Sequence, residues 1–358
     1  MQTQSNFRLL VVRLGAMGDI LHALPAVTAL RIAHPKWVID WVVEPKWTAL
    51  LCARDSTGRD SGGSCPRQPV VDTLHPAPAK DWGRNPLSAQ TRSQVLELRR
   101  ALRAGNYDTA IDFQGAVRSA AFARMARCRL IGESRPRESL ARWLFSERVE
   151  TPGSHVIEQD FELAAAVAGD DLKPLPPWLP FDQEAEKWAE GTLATTGVLP
   201  PVLINPGAGW GAKRWPVERY ASVARGLIER GCRVFVNAGP GEEPIAQVIV
   251  KGTAGAATPL APSLENLIAL TRRIALVIAG DTGPLHLACA LQKPVVGIYG
   301  PTDPSRNGPF GTRSRVLRNP SSRRDHSRRP NPEAGLLTIT PDEVLAAAEE
   351  LLHSGAAL

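Results

Sequence analysis

The stretch AGDTGPLH, residues 279–286, directly follows an apolar run at residues 275–278 and opens a helical pattern that extends to residue 290. A strand that enters a helix through a glycine-bounded Asp-Thr-Gly turn directs several backbone N–H groups and a helix N-terminus at one point. That arrangement suits an anion such as phosphate. Because Asp281 and Thr282 are also good N-terminal caps, a well-capped helix without a ligand explains the stretch equally well.

The same succession of strand, turn and helix is repeated along the chain. Apolar runs rich in β-branched residues predict strands at residues 9–13, 38–43, 70–74, 109–113, 130–132, 202–205, 234–237, 275–279 and 295–299. Helical periodicity predicts helices at residues 20–33, 88–104, 116–127, 217–229, 243–250, 264–271, 285–291 and 341–352. Several of the strands are almost wholly apolar, as are strands buried on both faces of a parallel sheet. The pattern predicts an α/β fold of two Rossmann-like, doubly wound parallel-sheet domains.

A proline-rich stretch at residues 171–180 separates the two series of strands and is typical of a stiff connector. We therefore predict an N-terminal domain at residues 1–170 and a C-terminal domain at residues 181–340. We expect the two domains to face a central cleft, because open α/β sheets bind ligands at the carboxyl ends of their strands. A final helix falls within residues 341–358, and the sequence leaves open whether it returns to the N-terminal domain.

The composition is that of an ordinary globular protein, with 43% hydrophobic and 22% charged residues among 358. No apolar run approaches the roughly 18 residues of a membrane-spanning helix. The first apolar run is broken by Arg13 and Asp19, which predicts a strand rather than a signal peptide, so we expect a cytoplasmic protein. The five cysteines are scattered without a Cys-x-x-Cys pair, which indicates neither a disulfide framework nor a zinc site.

Two regions carry the positive charge. Residues 92–148 contain twelve arginines, no lysine and six acidic residues, and residues 313–329 contain seven arginines and one acidic residue. Such regions suggest an anionic partner, although solvated helix faces and surface loops also carry arginines. Aromatic residues do not alternate with these arginines as they do in stacking platforms, so a small anion or a lipid is favoured over nucleic acid. The polar segments at residues 54–68 and 319–332 are expected to be mobile surface insertions.

The first predicted strand leads into the loop RLGAMGDILH, residues 13–22. Gly15 and Gly18 allow a tight turn and the close approach of a ligand, but their spacing does not match the GxGxxG fingerprint of dinucleotide sites. Asp19 lies where the turn becomes a helix and serves either as a helix cap or as a carboxylate base. His22, one helical turn later, faces the same space or is a neutral surface histidine.

Two loops of the C-terminal half join the stretch at residues 279–286. The loop NPGAGWGAKRWP, residues 205–216, places Lys213 where a lysine can neutralise a phosphate. The loop NAGPGEE, residues 237–243, ends in two glutamates that accept hydrogen bonds from a ribose or simply interact with the helix dipole. All three loops follow strands of one domain, and their convergence is more specific than any one of them.

Together these motifs resemble those of the ADP-heptose–lipopolysaccharide heptosyltransferases of glycosyltransferase family 9, over nearly the whole chain. The resemblance rests on GAMGDILHALP (15–25), DFQG (112–115) with Arg118 and Ser119, KRWP (213–216), GDTGPLH (280–286) and PVVGIYGPT (294–302). The HALP and QG-x-x-RS segments are more similar to heptosyltransferase I than to heptosyltransferase II. The resemblance implies a GT-B fold and an inverting transfer of heptose from ADP-heptose to the Kdo region of the lipopolysaccharide inner core, without a metal ion or other cofactor.

The resemblance also implies roles for individual residues. Asp19 matches the catalytic base, and Lys213 matches the lysine that binds the donor diphosphate and stabilises the departing ADP. The positions expected to contact the donor are Gly209, Lys213, Asp281, Thr282, Gly283, His286 and one of Glu242 and Glu243. The candidates on the acceptor side are Gly18, His22, Gln114 and Arg118. Ala208 and Gly209 replace a threonine pair of some relatives, so a backbone contact to phosphate is expected there.

Two other interpretations stay open at this point. One is a GT-B transferase or epimerase that acts on a different nucleotide sugar, and the other is a non-catalytic protein that binds a nucleotide sugar. The expected partners are a nucleotide-sugar donor and an anionic glycolipid acceptor of the Kdo–lipid A type, with no nucleic acid. The basic N-terminal half predicts peripheral attachment to the inner face of the inner membrane.

Overall fold

The computed structural model describes residues 7–53, 70–194, 199–325 and 329–353. The predicted insertion at residues 54–68 lies outside the described residues, as do residues 326–328 of the second arginine region. The chain forms two compact units, Met1–Pro180 and Phe181–Leu358, called here the N-terminal and C-terminal units. The boundary between them falls at the end of the proline-rich stretch.

The N-terminal unit is built on one six-stranded parallel sheet. Its strands are β1 (Arg8–Val12), β2 (Val38–Val43), β3 (Thr73–Pro76), β4 (Thr109–Asp112), β5 (Arg129–Glu133) and β6 (Glu147–Val149). Its helices are α1 (Met17–Ala33), α2 (Ala79–Arg84), α3 (Ala89–Ala104), α4 (Val117–Arg124) and α5 (Val156–Ala168), with short 3-10 helices at Pro45–Leu50 and Ser139–Trp143. The strands lie in the order β3-β2-β1-β4-β5-β6.

The C-terminal unit repeats this plan. Its strands are β7 (Pro201–Asn205), β8 (Arg233–Asn237), β9 (Thr258–Leu260), β10 (Leu276–Gly280), β11 (Val295–Tyr299) and β12 (Ser314–Arg318). Its helices are α6 (Gln183–Ala194), α7 (Val217–Glu229), α8 (Glu243–Gly252), α9 (Leu264–Arg273), α10 (Gly283–Ala290), α11 (Pro304–Asn307) and α12 (Pro341–His353), with 3-10 helices at Gly211–Lys213 and Leu336–Thr338. The strand order is β12-β11-β10-β7-β8-β9.

Both sheets have the doubly wound topology, in which the order of strands reverses next to the first strand of the unit. The reversal points lie between β1 and β4 and between β7 and β10, where Val12 is in register with Asp112 and Asn205 with Ala279. The loops that follow these strands therefore start side by side. Because ligand crevices of such sheets open at the reversal point, the topology selects one pair of loops in each unit as a candidate site.

Helices cover both faces of each sheet, and most strand residues are buried. In the N-terminal unit α1 packs against α5, and in the C-terminal unit α7 packs against α8 and α12. Trp215 donates from its indole Nε1 to the main-chain oxygen of Ile339 at 3.1 Å, which fixes the chain just before α12. Since α12 also packs against β11 and β12, the final helix is part of the C-terminal unit.

Each predicted strand and helix has a counterpart, but the prediction for β3 is displaced. The expected strand at residues 70–74 is found at Thr73–Pro76, where Thr73 is in register with Asp40. The carboxylate of Asp72 accepts from the backbone N of Ile39 at 2.7 Å and takes the place of a ladder bond at the start of the strand. Val70 and Val71 are buried without belonging to the strand, so their apolar character reports burial alone.

Several elements are absent from the sequence prediction. The strands β6 and β9 have three residues each and lie at sheet edges, and β12 carries two arginines of the second arginine region. Edge strands with exposed positions do not need continuous apolar runs, which is why the apolar pattern misses them. The prediction also lacks α2, α5, α6 and α11, although α5 has an apolar stripe and a capping side chain, that of His155.

Candidate active site

Three loops of the C-terminal unit meet at one buried asparagine. Asn205, the last residue of β7, donates from Nδ2 to Oγ1 of Thr282 at 3.3 Å. Its Oδ1 accepts from Nδ2 of Asn237 at 2.6 Å. Because Asn237 ends β8 and Thr282 follows β10, the side chain of Asn205 joins the carboxyl ends of three strands. The three loops selected from the sequence thus lie together at the reversal point of this sheet.

Asp281 is the centre of a buried charge cluster in these loops. The Lys213 ammonium donates to Oδ2 of Asp281 and to the main-chain oxygen of the same residue, the latter at 3.3 Å. Nε2 of His286, in the first turns of α10, lies 3.1 Å from Oδ1 of Asp281. The side chains of Lys213 and Asp281 are only 11% and 7% exposed, so water screens their attraction weakly.

The protonation state of Asp281 follows from this cluster. Burial by itself raises the pKa of the Asp281 carboxyl, but the hydrogen bond and charge of His286, together with Lys213, hold the pKa well below its usual range. Asp281 is therefore an anion at neutral pH and keeps the ammonium of Lys213 beside the start of α10. A lysine ammonium held next to a helix N-terminus suits a phosphate or diphosphate.

Trp210 completes the surroundings of the lysine. The Lys213 ammonium lies 4.2 Å from the centre of the Trp210 ring. The indole Nε1 of Trp210 is buried and has no hydrogen-bond partner among the described residues. Trp210 was not among the residues selected from the sequence, although it lies in the glycine-rich loop three residues before Lys213.

The two glutamates at the start of α8 have different positions. Glu242 is the N-cap residue, and its Oε2 accepts from the backbone N of Gly239 at 3.0 Å. Its carboxylate lies so close to Gly207 that a Cβ at that glycine would come within 2.1 Å of both oxygens. Glu243 is exposed on the first turn of the helix. Of the two, Glu242 is the residue that borders the loops at Asn205.

The other residues predicted to contact the donor are Thr282, Gly283 and Gly209. Thr282 occupies the N-cap position of α10, as predicted, but its side chain makes no capping hydrogen bond. Its hydroxyl donates instead to the main-chain oxygen of Gly280 at 3.2 Å, and Gly283 begins the helix. Gly209 is exposed, and a Cβ there would meet no atom within 4 Å, so packing does not require its glycine.

Part of the predicted insertion at residues 319–332 packs against the 3-10 helix that contains Lys213. The backbone N of Ala212 donates to the oxygen of Arg329 at 3.0 Å, and the oxygen of Ala212 accepts from the N of Glu333 at 3.1 Å. The carbonyl of Pro330 lies so close to Gly211 that a Cβ there would come within 1.6 Å of its oxygen. The expectation of a mobile surface insertion therefore fails for residues 329–332, which pack against the loop of Lys213.

In the N-terminal unit, Asp19 lies in the first turn of α1, at the reversal point between β1 and β4. Its Oδ2 accepts from the backbone N of Ala16 at 2.9 Å, and its Oδ1 lies 3.3 Å from Nη2 of Arg13. The side chain of Asp19 is 38% exposed, whereas that of Arg13 is buried. Asp19 is thus a helix cap and, at the same time, an accessible carboxylate held by a buried guanidinium.

A second carboxyl interacts with the same arginine. Asp160 of α5 is fully buried, and neither of its carboxyl oxygens has a hydrogen-bond partner among the described residues. Burial raises its pKa well above the usual range, Glu133 and Asp19 add to the rise, and Arg13 opposes it. Asp160 was not selected from the sequence, although an acidic residue at the spacing of the apolar stripe of α5 is a recognisable signal.

The loop after β4 is organised by Asp112, which is also fully buried. Its carboxylate accepts from the backbone N of Gln114 at 2.9 Å, from that of Gly115 at 3.2 Å and from the Ser119 hydroxyl at 2.9 Å. Burial raises the pKa of Asp112 to about 6, although these hydrogen bonds lower it. Oε1 of Gln114 in turn accepts from the backbone N of Leu14 at 2.9 Å, so this predicted acceptor residue connects the loops after β1 and β4.

Three cationic side chains lie in the segments that follow β2, β3 and β4 of this sheet. Arg118 donates from Nη1 to the main-chain oxygen of Ala79 at 3.2 Å, while Lys46 follows β2 and Lys80 follows β3. Burial and the positive charge of Lys80 lower the pKa of Lys46, and Glu44 opposes them. Two ammonium groups that repel each other in this way can share one anion. Arg118 was selected from the sequence, whereas both lysines were missed, because Lys46 and Lys80 are isolated and belong to no motif.

The remaining predicted acceptor residues lie on α1. His22 is buried, and its ring lies edge-on to that of His155, with 5.9 Å between the ring centres. His22 therefore packs in the contact between α1 and α5 and is not a surface histidine. Gly18 is half-buried in the first turn of α1, next to Asp19.

Many of the clustered arginines are engaged within their own unit. Ion pairs of the two arginine regions are Arg129–Glu147, Arg315–Glu350, Arg324–Asp303 and Arg329–Asp325. Arg318 donates to the main-chain oxygens of Gly300 and Ser322. The described part of residues 313–329 therefore uses much of its positive charge inside the C-terminal unit, which weakens its expected role toward an anionic partner.

The comparison with known proteins decides the family. Residues 95–336 match the family model described as glycosyltransferase family 9 (heptosyltransferase). The chain belongs to glycosyltransferase family 9. A relative of this family-9 glycosyltransferase, lipopolysaccharide heptosyltransferase 1 of Escherichia coli strain K12, is 30% identical to it over 324 residues, which cover 87% of this chain and 94% of the relative. The predicted family and enzyme class are confirmed.

Solved structures of the family agree with the fold. E. coli heptosyltransferase WaaC with ADP is 28% identical and has a TM-score of 0.78, covering 96% of this family-9 chain and 100% of WaaC. WaaC with ADP-2-deoxy-2-fluoro heptose has a TM-score of 0.74 at 28% identity, over 96% of this chain and 99% of the other. The predicted GT-B fold class, with two Rossmann-like parallel-sheet units, is confirmed.

Two further properties concern membranes and metals. Among the described residues of the family-9 chain, no helix has both the length and the apolar character needed to cross a membrane. In the same part of the chain, no three His, Cys, Asp or Glu side chains are grouped as they would be around a metal ion.

Proposed function

We propose that this glycosyltransferase is an inverting heptosyltransferase that moves heptose from ADP-heptose to the Kdo region of the lipopolysaccharide inner core. The observation that carries the proposal is the cluster of Lys213, Asp281 and His286 at the start of α10. The ammonium that this cluster fixes beside a helix N-terminus suits the diphosphate of a nucleotide sugar. The similar WaaC structure, which contains ADP, supports ADP as the nucleotide.

In this proposal the C-terminal unit holds the donor. Lys213 and the first turn of α10 bind the diphosphate, and the backbone at Gly209 contributes where no side chain intervenes. Glu242, which lies against Gly207 beside Asn205, accepts hydrogen bonds from the ribose hydroxyls. His286 keeps Asp281 in place and so fixes the position of the lysine.

Asp19 acts as the base of the transfer. Its carboxylate takes the proton of the acceptor hydroxyl while the hydroxyl oxygen forms a bond to the anomeric carbon of the heptose. The bond from that carbon to the phosphate oxygen breaks, and ADP leaves with the bonding electrons. Arg13 and the backbone N of Ala16 hold the carboxylate, so that its contribution is chiefly positional.

The charge that develops on ADP is met by protein groups. The Lys213 ammonium is already fixed by Asp281 before the donor arrives, and a preorganised cation stabilises a leaving group without reorganisation in the transition state. The N-terminus of α10 adds to this stabilisation. We therefore propose that the transfer is metal-independent.

The acceptor in this proposal is an anionic glycolipid of the Kdo–lipid A type, bound by the N-terminal unit. Lys46, Lys80 and Arg118 supply the positive charge for its carboxylates and phosphates. Because such an acceptor is anchored by its acyl chains, we propose that the enzyme works in the cytoplasm, attached peripherally to the inner face of the inner membrane.

The direct test is transfer by the purified protein. ADP-heptose, ADP-glucose and UDP-glucose are each incubated with and without Kdo–lipid A, and both nucleotide release and the mass of the acceptor are measured. We expect release with ADP-heptose only when the acceptor is present, with a mass increase of one heptose, and no loss of rate on addition of a chelator. Preference for another nucleotide sugar, or equal release without the acceptor, contradicts the proposal, and loss of rate with the chelator contradicts its metal-independent step.

A further inference from the structure

The 3-10 helix Ser139–Trp143 presents an apolar edge to solvent. Leu140 is 68% exposed and Trp143 is 66% exposed. In a 3-10 helix the side chains of residues three apart eclipse each other, so Leu140 and Trp143 lie on the same edge. Ala141, between them, is fully buried, and Phe145 is packed in the core of the unit. The edge is therefore displayed by an anchored helix.

Two arginines lie close to the exposed indole of Trp143. The guanidinium carbon of Arg142 lies 4.9 Å from the centre of the Trp143 ring, and that of Arg148 lies 5.8 Å from it. Neither arginine forms an ion pair with another described residue. The acidic neighbours are engaged elsewhere, since Glu147 pairs with Arg129 and the carboxylate of Glu138 accepts from a backbone N–H at 2.8 Å. Two guanidinium groups without an ion-pair partner among the described residues therefore lie beside the apolar edge.

This surface adjoins the predicted acceptor loop of the same unit. The backbone N of Glu138 donates to the oxygen of Gly115 at 2.8 Å, and Oε2 of Glu138 accepts from the backbone N of Val117 at 2.8 Å. Gly115 follows Gln114 in the loop after β4, and Val117 precedes Arg118 in α4. The 3-10 helix is therefore tied directly to the loop that carries the two acceptor candidates.

We infer that Leu140, Arg142, Trp143 and Arg148, here called the Trp143 edge, dock the enzyme on an anionic lipid bilayer. An indole suits the boundary between headgroups and acyl chains because one side is apolar and the other polar. Guanidinium groups pair with lipid phosphates and are attracted by the negative surface potential of an anionic leaflet. Single exposed apolar residues are ordinary, but two on one edge flanked by two arginines match this surface in both polarity and charge.

The inference deepens the proposed function, because a bilayer bound at the Trp143 edge would present its glycolipids beside Gln114 and Arg118. Binding to lipid does not itself require sugar transfer. The two proposals can therefore fail separately. Vesicle binding tests the docking surface, and transfer to a soluble acceptor oligosaccharide that lacks acyl chains tests the proposed function.

Vesicle sedimentation of the full chain tests the docking surface. Vesicles of phosphatidylethanolamine with phosphatidylglycerol are compared with vesicles of phosphatidylcholine. The double variant Leu140→Ser/Trp143→Ser is expected to lower the partition coefficient about tenfold or more on the anionic vesicles. The variant Arg142→Gln/Arg148→Gln is expected to lower it about fivefold for each arginine at low salt and to weaken its dependence on salt. Trp178→Ala, which removes a 42% exposed tryptophan of the same unit, serves as the matched control and should leave the partition coefficient unchanged.

The outcomes separate the possibilities. All variants should transfer sugar to the soluble acceptor at the rate of the unchanged protein, because the altered side chains are exposed and none of them is assigned to the donor, the base or the acceptor sugar. A partition coefficient that stays within twofold in both double variants overturns the docking surface. A loss of transfer to the soluble acceptor at unchanged partitioning also overturns it, since Trp143 would then contact the acceptor sugar. A protein that binds the vesicles through this edge but transfers no heptose supports the docking surface and contradicts the proposed function.

Discussion

The carboxylate of Asp19 lies 3.3 Å from the guanidinium of Arg13, a buried arginine at the end of the central strand of its sheet. The other oxygen of the carboxylate accepts from the backbone N of Ala16. The contacts with Arg13 and Ala16 hold the Asp19 side chain from two directions, while part of the side chain stays exposed to solvent. This arrangement suits a base whose effect depends on where it is held.

Replacement of Asp19 tests its role. Asp19→Asn keeps the size of the side chain and removes its ability to take a proton, so we expect kcat for heptose transfer to fall by about 10²–10⁴-fold. ADP affinity, measured by calorimetry, should remain nearly unchanged because the donor is assigned to the other unit. Asp81→Asn, an exposed aspartate paired with Arg84, is the control. Turnover close to that of the unchanged protein in Asp19→Asn contradicts the assignment.

Lys213 is predicted to stabilise the departing ADP more than it stabilises the bound donor. Lys213→Met removes the ammonium. Loss of a hydrogen bond to a charged group, about 1.5–3 kcal/mol, corresponds to a roughly 10- to 150-fold fall, which we expect in kcat as well as in kcat/KM for the donor. Since the variant also leaves Asp281 with His286 alone, Lys213→Met/Asp281→Asn should recover thermal stability without recovering activity. Lys251→Met, at an exposed lysine of α8, is the control. Full activity in Lys213→Met would show that the phosphate is bound elsewhere.

Glu242 and Glu243 are expected to differ in their effect on nucleotide binding. Glu242→Gln should weaken ADP binding about tenfold, the effect of losing about 1.4 kcal/mol, while binding of inorganic pyrophosphate stays unchanged because the contact is to ribose. Glu243→Gln should bind both ligands normally, since that side chain is exposed. Calorimetric titration with ADP and with pyrophosphate separates these cases. If Glu242→Gln weakens the binding of ADP and of pyrophosphate equally, the substitution has instead distorted the loop at Gly239.

Asp160 is predicted to reduce stability as the pH rises. Its pKa is raised in the folded protein by burial. The folded state therefore holds this proton at pH values where the unfolded chain has lost it, and the free energy of unfolding falls as the pH rises above about 4, the value of a free aspartate. Asp160→Asn removes this dependence and should raise the free energy of unfolding by about 1–3 kcal/mol at neutral pH, with a smaller gain near pH 4.

Urea unfolding at several pH values measures this effect. Asp81→Asn is again the control, because an exposed aspartate should change the free energy of unfolding by less than about 0.5 kcal/mol at every pH. A lower stability of Asp160→Asn at neutral pH would show that the ionised carboxylate is needed by Arg13. In that case Asp160 supports the orientation of Asp19 through the shared arginine.

The sequence predicted the fold well where burial leaves a continuous pattern. Val38–Val43 and Val295–Tyr299 match their predicted bounds because both strands are central enough to be buried on both faces. Thr73–Pro76 was displaced because Val70 and Val71 are buried without pairing. Apolar character reports burial, whereas the register of a strand depends on the partner strand.

The candidate site was predicted in part for a similar reason. Glycine-rich turns and capping residues are local signals, so the loops of Lys213 and Asp281 stand out along the chain. His22 was expected to face the same space as Asp19 or to lie at the surface, and the structure excludes only the second, because His22 is buried next to His155. Lys46 and Lys80 were not predicted, because isolated lysines form no recognisable sequence motif.

The sequence by itself determined the two doubly wound units, the loops that carry the chemistry and the family. These depend on strand burial, turn geometry and helix starts, which are encoded within short segments. Only the tertiary structure decided which residues meet: Glu242 rather than Glu243 beside Gly207, and Pro330 against Gly211. These contacts join residues distant along the chain, and they depend on strand register and helix orientation, which no local pattern specifies.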